Sequence, residues 1–370
     1  MSDNPDFQGP SGSTKSGSTL HNFSSDLLGL EMADFWASDA VVILGAGASI
    51  DFNFPDWDSL LELMQLHLEE AKSEPTGLLR GLPEESIETV QSLIQSSEPE
   101  ETLDLLVERA VLESKSPEIE AVFRRVVGQV LLERERTDSF VVDLSAPWPE
   151  LLAEEYWGAI RAGHSQGIKV GSPKVISFNY DRSFQYHFDR SMNRLALSEV
   201  DEIERIRKTG PQPGRAMIHH PHGSLGRLST GSKSTNNCSE NRSSLFKRDY
   251  GSSLSASDLK LGPRQPYIFT VDSLAKGEHP SYKRSNHLLK HARKIIIIGL
   301  SVAGIRNCHL EELTSKQLVY ITDKSGQIEA AVERGELPLL QQSDLRFLKT
   351  YVRPLLNRLA AEIPIDRSVG

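Results

Sequence analysis

Six short runs rich in Val and Ile punctuate the chain: Val41 to Leu44, Val175 to Phe178, Ala216 to Ile218, Tyr267 to Val271, Ile295 to Ile298 and Leu318 to Ile321. Continuous apolar runs, rather than alternating ones, suit strands of a parallel sheet covered on both faces. Patterns of helical period lie between them. Ile119, Val122, Phe123, Val126, Val127, Val130 and Leu131 keep the i, i+3, i+4, i+7 spacing, with Glu118, Glu120, Arg124 and Arg125 on the opposite side. Trp57 joins Leu60, Leu61, Met64 and Leu68 in a second stripe, which makes it a core residue. Strand alternating with helix predicts an α/β fold with a Rossmann-like doubly wound parallel sheet.

The first two runs lie about 130 residues apart, too far for one crossover, and the intervening pattern is helical. An all-helical insertion over 58–165 is therefore expected beside the α/β core. Residues 226–262 are dense in Ser, Asn, Lys and Gly and predict a mobile loop or lid. Residues 1–25 read as a flexible tail, since they are rich in Ser and Gly and lack the basic and apolar regions of a secretory signal. The stretch Leu345 to Leu359 predicts a C-terminal helix. No internal repeat is present.

Composition narrows the classes of partner. With 370 residues, 38% hydrophobic and 25% charged, the chain can bury a large core. Its 41 Lys and Arg against 51 Asp and Glu give a net charge of -10, which repels a phosphate backbone, so no direct nucleic-acid partner is expected. The longest apolar run, Ile295 to Gly304, falls short of the roughly 20 residues that span a bilayer; no membrane partner and a cytoplasmic location follow as expectations. Two cysteines, Cys238 and Cys308, cannot build a disulfide framework or a zinc site of several thiolates.

The candidate chemistry sits where strands end. Gly45-Ala46-Gly47-Ala48-Ser49 follows the first run, a context in which backbone N–H groups can meet a pyrophosphate. Ile50 stands where the dehydrogenase fingerprint has its third glycine, and no acidic residue ends a second strand some twenty residues later, so hydride transfer is disfavoured. Asn179 and Asp181 follow the second run and point toward the same edge of the sheet; either also suits a cap for a helix beginning near Ser183. His219, His220 and His222 follow the third, and imidazole can take a proton from a hydroxyl near neutral pH. A metal site at these histidines lacks a carboxylate or thiolate nearby in sequence, so no metal is expected. Gly299 and Ser301 follow the fifth run and could reach a ribose or phosphate; Asp323 follows the sixth, suited equally to a hydroxyl or to a turn.

Taken in order, Gly45-Ala46-Gly47-Ala48-Ser49 with Phe54-Pro55-Asp56-Trp57, then Asn179-Tyr180-Asp181, then His222-Gly223-Ser224-Leu225, resemble the sirtuin-like NAD-binding family. The resemblance covers most of Val41 to Asp323 as ordered motifs and makes 26–370 one sirtuin-like domain; the helical insertion and the 226–262 loop are unmatched. It implies that Phe54 and Pro55 lie in a loop closing over the nicotinamide end, with Asp56 or Asp58 capping the next helix. It also implies that Asn179 holds the nicotinamide ribose or the attacking water, that Asp181 orients the nicotinamide end, and that His222 acts as base. Gly299, Ser301 and Asp323 would hold the adenosine half.

Deacylase sirtuins carry a zinc held by four cysteines, and this chain has two cysteines in all. Its helical insertion and motifs are similar to the bacterial branch that depletes NAD+ in defence against bacteriophages by abortive infection. The resemblance then implies an NAD+ glycohydrolase with NAD+ as substrate, a homo-oligomer, and a separate activator such as an ATPase or an Argonaute-like protein. A non-catalytic sensor of NAD or ADP-ribose and an NAD-dependent protein deacylase remain the alternatives.

Overall fold

The computed structural model describes residues 29–73, 79–98, 101–114, 116–135, 147–168, 170–198, 216–225, 227–228, 247–248, 267–268, 280–308, 310 and 313–361. Strands among them are β1 (Ala40–Leu44), β2 (Lys174–Ser177), β3 (Met217–His219), β4 (Gly223–Ser224), β5 (Arg227–Leu228), β6 (Lys247–Arg248), β7 (Tyr267–Ile268), β8 (Lys294–Ile298), β9 (Leu318–Thr322) and β10 (Asp344–Leu348). Helices are α1 (Trp57–Ser73), α2 (Glu84–Gln95), α3 (Leu103–Ser114), α4 (Pro117–Arg134), α5 (Trp148–Ser165), α6 (Ser183–Ser198), α7 (Pro280–His291), α8 (Val302–Arg306), α9 (Gln327–Glu333) and α10 (Val352–Ala361). Six strands form an all-parallel sheet in the order β10-β9-β8-β1-β2-β3. This is a Rossmann-like α/β architecture.

The unbroken apolar runs follow from burial on both faces. Along β1, Val42 and Leu44 join a cluster with the buried residues of α1 to α6, whereas Val41 and Ile43 join a second cluster with Leu289 of α7, Ile305 of α8 and Ile328 of α9. Successive side chains point to opposite faces, so a strand roofed on both sides can spare no position for a polar group. In α4 the seven periodic positions from Ile119 to Leu131 are all buried, and Trp57 packs against the same cluster. Among the described residues five α-helices, α1 to α5, lie between β1 and β2, in agreement with the helical pattern of that stretch. Among the described residues no helix is long and apolar enough to cross a membrane.

Two assignments made from periodicity are corrected. Tyr267–Ile268 pairs antiparallel with Gly223–Ser224, outside the parallel sheet; residues 269–271 lie outside those described. The sixth sheet strand is instead β10, within the stretch expected to be helical. Leu345, Leu348, Val352, Leu355, Leu356 and Leu359 happen to fit a helical period across the joint between β10 and α10. Pairing of Asp344 to Leu348 with β9 decides the matter, and along the strand Leu345 and Phe347 are half-buried while Asp344 and Arg346 are exposed. An edge strand with one wet face alternates where the central strands do not. The 226–262 loop, apart from the short strands β5 and β6, and the tail over 1–25 lie outside the described residues.

Candidate functional site

Strand order reverses between β1 and β8, and in open α/β sheets the crevice at the carboxyl ends of such a pair receives ligands. Gly45 leaves β1 and Gly299 leaves β8. Their turns press together: the Gly45 N–H donates to the Ile298 carbonyl at 2.9 Å and the Gly47 N–H to the Gly299 carbonyl at 2.8 Å. Gly299 has φ +68, and a Cβ placed on Gly45 or Gly47 would lie 2.6 Å from the Gly299 oxygen or 2.9 Å from its Cα. Backbone-to-backbone approach therefore accounts for the three glycines. The turn continues into 3-10 helices at Ala46–Ala48 and Ile50–Phe52, with α1 starting only at Trp57. In consequence the Ala48 and Ser49 amides are spent on the carbonyls of Gly45 and Ala46, at 2.9 Å each. Ala46 keeps the one amide of this turn with no backbone acceptor among the described residues, and Ala46 and Gly47 are exposed.

Ser49 carries the turn's polar chemistry inward. Its hydroxyl donates to Asp181 Oδ2 at 2.7 Å and accepts from Asn179 Nδ2 at 2.8 Å, and Asp181 Oδ1 accepts the Ser183 amide at 2.9 Å. The direction of this chain is forced. An ionised carboxylate only accepts, so the single hydroxyl proton of Ser49 goes to Asp181 and its lone pair must take the Asn179 amide. Asn179 Oδ1 is thereby turned away from Ser49, and among the described residues no donor reaches it. Asp181 fills both suggested roles, capping α6 with one oxygen while the other joins the cluster. Ser49, Asn179 and Asp181 are all buried.

The insertion helices hold this cluster from behind. Trp148 of α5 donates its indole N–H to the Ala48 carbonyl at 3.0 Å. Arg182, next to Asp181 and fully buried, makes a two-pronged ion pair with Glu135 at the end of α4, with Nε to Oε1 at 2.9 Å. His187 of α6 stacks on Phe52 with ring centroids 5.2 Å apart and meets Glu150 of α5 at 3.1 Å. The hydrogen bond from His187 holds the Glu150 carboxyl below its ordinary range, while burial pushes the imidazole down. Both directions describe a neutral ring donating Nδ1–H to a carboxylate.

The three histidines part company. His219 lies in register with Ile176 of β2, and burial, then Arg284 and His220, push it down to about 4. His220 Nδ1 lies 3.0 Å from the Asn179 carbonyl oxygen, and burial lowers its affinity for a proton against the pull of Asp181. His222 is buried, with Nε2 hydrogen-bonded to the Tyr282 hydroxyl of α7 and its ring edge-on to Phe178 at 5.1 Å.

The remaining expected site residues make other contacts. Phe54 is buried in the core on the insertion side, Pro55 is half-buried, and exposed Asp56 caps α1 by accepting the Ser59 amide at 3.0 Å; the Ser59 hydroxyl first and its amide second hold the carboxyl below the usual range. Ser301 caps α8, accepting from Gly304 at 3.0 Å. Asp323 is buried and accepts the Glu329 amide of α9 at 2.9 Å, so its carboxylate serves as a cap one strand beyond the crevice. Sequence reasoning missed Tyr282, Glu135, Arg182 and Trp148. Of these only Arg182 left a signal, a cation directly beside Asp181 that demands a counter-charge if buried. No family model matches the chain, and no curated protein matches it.

Proposed function

We propose that the chain is an NAD+ glycohydrolase, releasing nicotinamide and ADP-ribose. The observation that carries this reading is the buried chain from Asn179 through Ser49 to Asp181, which joins the ends of β1 and β2 beside the reversal of strand order. Its motifs are those that resemble the sirtuin-like family. In NAD+ the leaving group is already a cationic pyridinium, so nicotinamide departs neutral and no acid is needed. The protein's task is to hold the ribose and a water in a dry pocket and to accept a proton. Asn179, fixed by Ser49, offers Oδ1 to a ribose hydroxyl or to the water; Asp181 keeps Ser49 oriented and faces the nicotinamide end; a histidine after β3 is the base, His222 being the one the resemblance implies. The biological setting in the proposal is cytoplasmic NAD+ depletion during antiphage defence. Unrestrained hydrolysis would kill the host, so oligomerisation or a separate activator, an ATPase or an Argonaute-like protein, holds the activity in check.

Purified chain incubated with NAD+ should release nicotinamide and ADP-ribose, and Asn179→Ala should cut the rate by roughly 10²-fold or more while NAD+ still binds. Binding without any turnover would replace this reading with a sensor of NAD or ADP-ribose. Release that requires an acyl-lysine peptide would replace it with a deacylase.

A further inference from the structure

We propose that His220, rather than His222, is the base that takes the proton of the attacking water. The inference rests on the NAD+ hydrolysis reading. A carbonyl oxygen can only accept, so the 3.0 Å bond to Asn179 places the proton of His220 on Nδ1 and the lone pair of the neutral ring on Nε2. Among the described residues Nε2 has no hydrogen-bond partner, and the half-buried residue stands just past the end of β3. Asn179 Oδ1, just past the end of the neighbouring strand β2, likewise meets no donor among the described residues. Two acceptors, each fixed by a bond made on its far side, thus belong to residues that are themselves hydrogen-bonded to each other. A water has two protons to give and suits such a pair.

The neighbours support the choice. Asp181 is the carboxylate acting on His220, and it stabilises the imidazolium that forms when the proton arrives; the neutral His219 ring is the adjacent titratable group, with Arg284 beyond it. Burial keeps His220 unprotonated at neutral pH, the state a base requires. His222, in contrast, has Nε2 committed to Tyr282 and its ring set against Phe178. In the step itself the water oxygen bonds to ribose C1′ as the C1′–N bond breaks. The electron pair leaves with nicotinamide, one water proton passes to His220 Nε2, and the other stays on the new hydroxyl; the imidazolium then returns its proton to solvent.

The experiment measures kcat/KM for NAD+ against pH in wild type, His220→Gln and His222→Gln, with calorimetric NAD+ binding and melting temperature on each. Glutamine at 220 can still donate to the Asn179 carbonyl but has no basic nitrogen. His220→Gln should bind NAD+ as wild type does, lose roughly 10²- to 10⁴-fold in rate, and lose the acid limb that wild type shows below pH 6.5, the ordinary histidine value. His222→Gln should keep that limb. A limb that survives in His220→Gln and vanishes in His222→Gln would overturn the assignment while leaving hydrolysis intact; no hydrolysis by wild type would remove the reading beneath it. If His220→Gln melts early, His220→Asn is measured in its place, and full activity in that variant also overturns the assignment.

Discussion

Replacing Gly299 by alanine tests whether the glycine turn is built by packing. Gly299 sits at φ +68, where a side chain costs roughly 1–2 kcal/mol. Its Cβ would also lie 2.2 Å from the Ala48 nitrogen, against an ordinary contact beginning at 3.4 Å, so the β1 turn must retreat by about 1.2 Å. Overpacking of that kind adds about 1–3 kcal/mol, for a total of about 2–5 kcal/mol. Gly335 is the matched control, with φ +74 and nothing within 4 Å of its Cβ; Gly335→Ala should lose only the backbone part, about 1–2 kcal/mol. The retreat also stretches the Ser49 to Asp181 bond from 2.7 Å to about 3.9 Å if the turn moves straight back, which breaks it, so Gly299→Ala should lose nicotinamide release out of proportion to its stability. Urea denaturation of both variants, with NAD+ turnover alongside, gives the comparison. Equal destabilisation of the two variants would refute the close approach of the turns.

The Arg182–Glu135 pair, with both side chains almost wholly buried, should make Glu135→Gln cost about 3–5 kcal/mol, because the buried guanidinium loses the Glu135 charge. Changing both residues to leucine should restore most of that loss in the same denaturation assay, and a double variant as unstable as the single one would count against a charge-based cause. His219 is held at about 4 in the folded chain against an ordinary 6.5. The unfolded chain therefore binds the proton first, so stability should fall by up to about 3 kcal/mol as the pH drops from 6.5 to 4, with no further loss from this group below that. His219→Gln should flatten that part of the stability curve, and an unchanged curve would show that His219 does not cause it.

How legible the site was depended on the range of each interaction. Asn179 and Asp181 were readable because a parallel strand ends just before them, and chain order alone puts strand ends at one edge of a sheet. Ser49 was readable only as part of the turn; its place between Asn179 and Asp181, 130 and 132 residues away, needed the sheet to form. Asp323 was suited equally to a hydroxyl or to a turn and Asp56 to a cap, and each carboxylate accepts a local amide. Tyr282 and Glu135 could not have been found, since nothing local marks a residue whose whole significance is a partner 60 or 47 positions away.

The sequence by itself determined the layering, because a strand covered on both faces must be apolar throughout and a helix covered on one face must repeat every 3.6 residues. It determined the four inner strands, β9, β8, β1 and β2, for the same reason. Only the tertiary structure decided that Leu345–Leu348 is a strand, since a half-exposed edge carries a weaker pattern and pairing with β9 supplies the hydrogen bonds that choose. It alone decided which proton sits on which nitrogen after β3, for that depends on whether a carbonyl, a hydroxyl or a charge meets each imidazole, and those partners come from distant parts of the chain.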